Sequence, residues 1–356
     1  MTWIKKIARG FSYLIYLFIC VAVLLEVIFR VLPTSDSLPR MPVNAENPIL
    51  RYPENIEVTK QIGANFQHVN IKRINNYGYA TDKDFQEKAI QTKPVISVIG
   101  DSYVEALHVK NKNTFHAILD ENLESYDVFP IGMSGSPLSQ YLAFAKYAAE
   151  RFDPKLYVFL IISNDFDQSF YRVKGYPGFH YFDDMGQLEL VNYEPSTIKR
   201  IARHSALLRY LVIDLQGIIK VQRMFGVYDE TTINFPNKRK EFLEIGRLAN
   251  EKFLRGITEI SLMTNVILLI DGDRKGIYSG LDKRDISRPE NILFDELGKS
   301  AKIIPNVDII DLHNVFKSDY LLNNERFDYV YDDHWNEHGH AVVSRALTDK
   351  IRSMSF

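Results

Sequence analysis

The sequence predicts an α/β fold in which helices cover both faces of a mainly parallel sheet, preceded by a membrane-spanning helix. Three observations predict it. Nearly continuous apolar runs recur at Val95–Ile99, Tyr126–Ile131, Leu156–Ser163, Val266–Ile270 and Val307–Ile310. Helix-like segments alternate with them at Thr114–Leu123, Leu138–Arg151, Lys240–Leu262, Ile292–Ile303 and His338–Arg352. Strands buried on both faces lose the in–out alternation of a half-exposed sheet, so this combination indicates parallel pairing. The third observation is an apolar stretch from Phe11 to Phe29, 19 residues broken by Glu26.

In chain order, that stretch comes first. Its length approaches the roughly 20 residues a helix needs to cross a bilayer. Lys5, Lys6 and Arg9 precede it, which places the N-terminus in the cytoplasm and the remainder periplasmic or extracellular. A cleaved signal peptide is the rival reading, but no small-x-small site follows the run. Residues 1–33 are therefore read as a signal anchor in the inner membrane. Residues 34–70, with Pro39, Pro42, Pro48 and Pro53, read as an extended stalk. The globular domain spans 71–356. Its regularity breaks at about 166–238, a stretch rich in Tyr, Phe, Gly and Asp followed by a helical segment (Ile198–Met224), read as an insertion over the carboxyl edge of the sheet.

Composition narrows the function classes. The 356 residues, 46% hydrophobic and 12% aromatic, suffice for a sizeable core. A net charge of −2 excludes a global polyanion-binding role, so no nucleic-acid partner is expected. The one cysteine, Cys20, excludes an intramolecular disulfide and a multi-cysteine zinc site.

Four turns at the carboxyl ends of strands carry chemistry. In open α/β sheets, reacting groups collect at that edge. Val95-Ile96-Ser97-Val98-Ile99 ends in Gly100-Asp101-Ser102, which presents a serine where strand passes to helix; the plain alternative is a helix N-cap. Gly132-Met133-Ser134-Gly135 follows the second strand, and a glycine there lets the backbone aim an N–H at a ligand. Ser134 is a rival nucleophile, although Gly-x-Ser-x-Gly fails at Ser136. Ser163-Asn164-Asp165 follows the third strand. An asparagine side chain there can donate to an oxyanion or form an Asx-turn.

The fourth turn, Asp332-Asp333-His334-Trp335-Asn336-Glu337-His338-Gly339-His340, sets an aspartate two residues before a histidine on an expected loop. A carboxylate on one ring nitrogen fixes the tautomer that lets the other nitrogen take a serine proton. Metal binding through His334, His338 and His340 is a rival. It requires one continuous helix, whereas His334 is expected to precede the helix. No metal or cofactor is therefore expected.

In this order the four blocks resemble the SGNH (GDSL-like) hydrolase superfamily, whose blocks centre on Ser, Gly, Asn and His. Ser102, Gly135, Asn164 and His334 match them. Asn75-Asn76-Tyr77-Gly78-Tyr79 before the first strand, and Gly132-x-x-Gly135 followed by Gln140-Tyr141-Leu142, are similar to further elements of extracytoplasmic members. Two positions depart from the common pattern. Ile162 replaces the glycine of Gly-x-Asn-Asp, and Asp-x-His replaces Asp-x-x-His. The latter variant occurs in members resembling polysaccharide O-acetyltransferases.

The resemblance implies a three-layer α/β/α fold with a flavodoxin-like, five-stranded sheet. It further implies a catalytic set of Ser102, His334 and Asp332, with Asp333 as fallback acid. The oxyanion hole would comprise Ser102, Gly135 and Asn164. The implied activity is O-acyl, above all O-acetyl, ester hydrolysis or transfer on an envelope glycan or lipid, with a membrane acyltransferase as a candidate partner. A catalytically inactive glycan-binding or scaffold protein on the same fold is the alternative.

Overall fold

Five parallel strands form the centre of the protein: β1 (Val95–Gly100), β2 (Asp127–Gly132), β3 (Leu156–Ile161), β4 (Asn265–Ile270) and β5 (Val307–Asp311). Their order in the sheet is β2-β1-β3-β4-β5. The computed structural model describes residues 2–62, 66–215, 236–329 and 332–354. All five expected strands are present within two residues of the bounds read from sequence. Every residue of β1 and β3 is buried, which explains their unbroken apolar character.

The order starts at β1, steps to β2, then crosses to β3 on the other side. The carboxyl ends of β1 and β3 thus border the topological switch point, where such sheets bind ligands. Helices α3 (Phe115–Asn122), α4 (Leu138–Phe152), α5 (Pro236–Ser261), α7 (Pro289–Ala301) and α9 (Glu337–Ser353) match the five expected helical segments. Two more, α6 (Arg274–Tyr278) and α8 (Leu312–Asn323), were not expected. One core layer unites Ile96, Val98, Val158 and Leu160 of the sheet with Phe115, Phe316, Trp335 and Val343. Each such buried side chain contributes about 1.5–3 kcal/mol to stability.

A one-turn helix, α2 (Ser102–Glu105), sits directly against the ends of β1 and β2. That approach is open only to glycine. A Cβ on Gly132 would lie 2.6 Å from Val104 Cβ and 2.8 Å from the Glu105 amide.

The chain divides into two compact units. One contains residues 39–57, 72–194 and 230–356, with the five-stranded sheet. The extended-stalk expectation for residues 34–70 fails here. Val43, Leu50 and Tyr52 are buried, and Val43 bridges to Tyr193, so residues 39–57 are part of the sheet-bearing unit. The prolines end strands and helices but do not prevent a coil from packing through its apolar side chains.

The other unit contains residues 1–38, 58–71 and 195–229. A two-stranded sheet of Ile56–Ile62 and His68–Ile74 enters it. Its first helix, α1 (Thr2–Val31), contains a 23-residue segment, Arg9–Val31, long and apolar enough to cross a membrane. Glu26 has a local role. Its carboxylate accepts hydrogen bonds from Ser205 Oγ (2.7 Å), Ala206 N (3.1 Å) and Leu207 N (3.0 Å), capping the short helix Ala206–Arg209. The segment 166–238 is split between the units. Its first part carries a hairpin of His180–Phe182 and Leu188–Leu190, and its helical stretch appears as Thr197–Ala202 and Ala206–Arg209. Residues 216–224 of the expected helix lie outside the described residues.

Candidate active site

Ser102 opens α2, one residue beyond Asp101. Both readings of this turn hold together. Asp101 caps the helix by accepting from Tyr103 N (3.0 Å), and its other oxygen lies 3.0 Å from Ser102 Oγ, an alternative to His334 as acceptor of the one hydroxyl proton. Asp101 is fully buried, and burial pushes its carboxyl above the ordinary range.

Asp332 and His334 stand on a short strand, Asp332–Trp335, which pairs antiparallel with Asp328–Tyr329. This corrects the expected loop. On a strand, residues two apart share a face, so the pleat itself directs carboxylate and imidazole to the same side. His334 Nδ1 lies 2.5 Å from Asp332 Oδ1, and its Nε2 lies 2.9 Å from Ser102 Oγ. Asp333, between them, turns outward and meets Lys275 Nζ at 3.3 Å. Asp332, not the fallback Asp333, is therefore the carboxylate beside the imidazole. Burial pushes the Asp332 carboxyl up, but hydrogen bonds from His108 and His334 outweigh it and hold the group far below its ordinary range.

His108 went unnoticed in the sequence. Its Nε2 lies 3.4 Å from the second Asp332 oxygen. Its ring stacks on that of His334, with centroids 3.9 Å apart and planes 17° from parallel. Ala106 closes α2 in the left-handed conformation (φ 47°), which turns the chain sharply just before His108. No spacing pattern marks such a residue; only its closeness to Ser102 in the chain hints at it.

A second clamp fixes the backbone of the imidazole strand. The Asp333 carbonyl accepts from Tyr103 Oη (2.7 Å) and from Arg274 (2.5 Å). Arg274 also donates to Tyr103 Oη (2.8 Å) and Asp271 (3.2 Å), with Asp328 at 3.5 Å. All three charged groups are buried. The polar turn Asp271-Gly272-Asp273-Arg274 after β4 was a readable signal, since it lies at the carboxyl edge.

Gly135 and Asn164 occupy the turns after β2 and β3, the strands on either side of β1, and so flank the Ser102 turn. Gly135 has φ +77°, a conformation that disfavours side chains. Asn164 lies in the 3₁₀ turn Ser163–Asp165. Buried Asp165 fixes this turn by accepting from Ile162 N (2.8 Å) and Tyr141 Oη (2.9 Å). The Asn164 carboxamide is half-buried and bonds to no other described residue.

The rival assignments separate from this cluster. Ser134 Oγ bonds to Glu105, with no histidine beside it. His338 pairs with Asp319 (2.7 Å), and His340 Nδ1 accepts from Phe115 N (3.2 Å). Both lie on α9, which begins at Glu337, whereas His334 precedes it. Among the described residues, those whose ligating atoms do converge, within 4.8 Å, are His108, Asp332 and His334.

No protein-family model and no curated protein sequence matches the chain. Similar solved structures include a member of the lipolytic G-D-S-L family from Veillonella parvula, at 13% identity over 73% of this chain and 99% of that one (TM-score 0.42). Another is a catalytic mutant of an acetylxylan esterase from Geobacillus stearothermophilus, at 14% identity over 74% and 95% (TM-score 0.39). A third is a carbohydrate esterase family 2 enzyme with a carbohydrate-binding domain from Corynascus thermopiles, at 13% identity over 80% and 70% (TM-score 0.38). In its four sequence blocks and its β2-β1-β3-β4-β5 sheet, the chain is similar to the SGNH (GDSL-like) hydrolases.

Proposed function

We propose that the protein is a serine-dependent O-acyl ester hydrolase or acyltransferase, with acetyl the favoured group, working through an acyl-Ser102 intermediate. The observation that carries this reading is the continuous hydrogen-bonded chain Asp332–His334–Ser102 at 2.5 and 2.9 Å.

Asp332, as a carboxylate, accepts a hydrogen bond from His334 Nδ1–H, which keeps the proton on Nδ1 and leaves Nε2 as the acceptor facing Ser102 Oγ. Ser102 Oγ forms a bond to the ester carbonyl carbon while its proton passes to Nε2. The oxyanion takes hydrogen bonds from the backbone N–H groups of Ser102 and Gly135 and from the Asn164 carboxamide. Collapse breaks the bond to the alcohol oxygen, which leaves with the proton from Nε2. Water, or a sugar hydroxyl, then gives its proton to Nε2 and attacks the acyl-serine carbon; collapse breaks the bond to Ser102 Oγ, which takes that proton back from Nε2 and frees the acid or the new ester. The outcome is hydrolysis or transfer.

The membrane-length α1, read with Lys5, Lys6 and Arg9 before it, favours a catalytic unit on the outer side of the inner membrane. Ester-bearing envelope glycans or lipids are then the substrates within reach, and a membrane acyltransferase is a fitting source of acyl groups.

Labelling the folded protein with a fluorophosphonate and mapping the modified peptide by mass spectrometry tests the assignment. Ser102 should carry the label, and Ser102→Ala should lose both label and p-nitrophenyl acetate hydrolysis by at least about 10³-fold. Label on Ser134, or on no serine, refutes it. Product analysis with a sugar acceptor present separates transferase from hydrolase.

A further inference from the structure

Two cations meet at the Ser134-Gly135 turn. Arg40, from the segment first taken for a stalk, donates to the Ser134 carbonyl (3.1 Å). Lys174, from the segment after β3, donates to the Gly135 carbonyl and to Gln168 Oε1 (2.8 Å). Both lie against the ring of buried Phe179. The Lys174 ammonium is 4.6 Å and the Arg40 guanidinium 5.2 Å from its centroid.

Neither forms a salt bridge with a described carboxylate. Beyond the Ser134 carbonyl, the guanidinium makes no other hydrogen bond to a described residue. Two like charges on one aromatic ring repel one another, and the ring attracts each only modestly. Burial lowers Lys174 to a pKa of about 8 and Arg40 adds to that effect, while Asp165, Asp101 and Asp167 oppose it from beyond salt-bridge distance. An anion placed between the two groups removes the repulsion and finds a fork of N–H donors suited to carboxylate or phosphate oxygens.

We infer that Arg40 and Lys174 form an anion subsite beside the oxyanion turn, so that the substrate is an ester carrying a carboxylate or phosphate near its reacting carbonyl. This rests on the acyl-Ser102 reading and narrows it. Neutral acetylated sugars lack the group that the two cations are placed to meet, whereas uronic acids and phosphorylated glycans or lipids carry it.

The test compares kcat/KM for O-acetyl esters of methyl glucoside, methyl glucuronide and glycerol 3-phosphate. The full chain and its Arg40→Gln and Lys174→Met variants are assayed. At low salt the wild type should prefer at least one acidic ester over the neutral one by about tenfold, the worth of one good charged hydrogen bond. Each substitution should reduce that preference toward unity, and added salt should do the same. The ratio is insensitive to the fraction of folded protein, so a merely structural role for either residue leaves it unchanged. Preference for the glucuronide or for the phosphate identifies which anion is bound. A wild-type ratio near one, or a ratio that both substitutions leave intact, overturns the subsite while the esterase reading stands. Turnover of none of the three, together with no label on Ser102, overturns both.

Discussion

The two sides of Ser102 are built differently. On the imidazole side, the Asp333 carbonyl is gripped by Tyr103 and Arg274, Asp332 receives two histidines, and the Val109 carbonyl next to His108 is held by Lys72. Nearly all of these partners are buried. On the side of Gly135 and Asn164, the Asn164 residue is half-buried with a carboxamide bonded to no described residue, and the cations nearby retain unused donors. His334, the proposed base, is held by the protein's own bonds, while the opposite side leaves donors unengaged. Changes on the first side should therefore cost stability as well as rate, and changes on the second should cost rate or selectivity alone.

The strongest way to break that contrast is Arg274→Met. It leaves Asp271 as a buried carboxylate without its cation and Asp328 with Arg326 alone, a loss of about 3–5 kcal/mol. Urea unfolding measures it, and a loss under 1 kcal/mol would show that the clamp carries little stability. Next comes Asn164→Ala, expected to lower kcat by about 10²–10³ while leaving the unfolding midpoint unchanged. A large shift in the midpoint would place Asn164 among the structural residues instead. His108→Phe keeps a ring against His334 but removes the hydrogen bond to Asp332. It should lower kcat about tenfold with little change in KM, since one hydrogen bond to a charged group is at stake.

Lys72 sharpens the contrast at the smallest scale. It is fully buried, and burial lowers its pKa to about 7. The unfolded chain, with an ordinary lysine, binds the proton more tightly than the folded one. Stability should therefore rise with pH between about 7 and 10.5. Lys72→Met should flatten that rise in thermal melts taken across the window, and an unchanged slope would assign it to other groups.

Most of the fold was legible because it depends on composition along short runs. Strands such as Leu156–Ile161 are apolar throughout, and that pattern has few alternatives. The hairpin Ile56–Ile62 with His68–Ile74 was not legible. Its strands mix charged and apolar residues, and the four prolines before it directed attention to an extended chain. The site divides in the same way. Asp332 and His334 are neighbours in sequence, and Ser102 follows an unmistakable strand, so both announce themselves. His108 and Arg274 act through tertiary contacts with residues more than fifty positions away, and no local pattern encodes such contacts.

Glu26 carries a practical consequence for anyone seeking a soluble version of this protein. A chain trimmed to begin after residue 33 would discard, along with the greasy segment, the carboxylate that receives Ser205, Ala206 and Leu207. The short helix Ala206–Arg209 would then keep only its Ser205 cap on Leu208 N, with the amides of Ala206 and Leu207 bare. Trimming just before Glu26, or supplying an acidic residue in its place, would keep that junction intact.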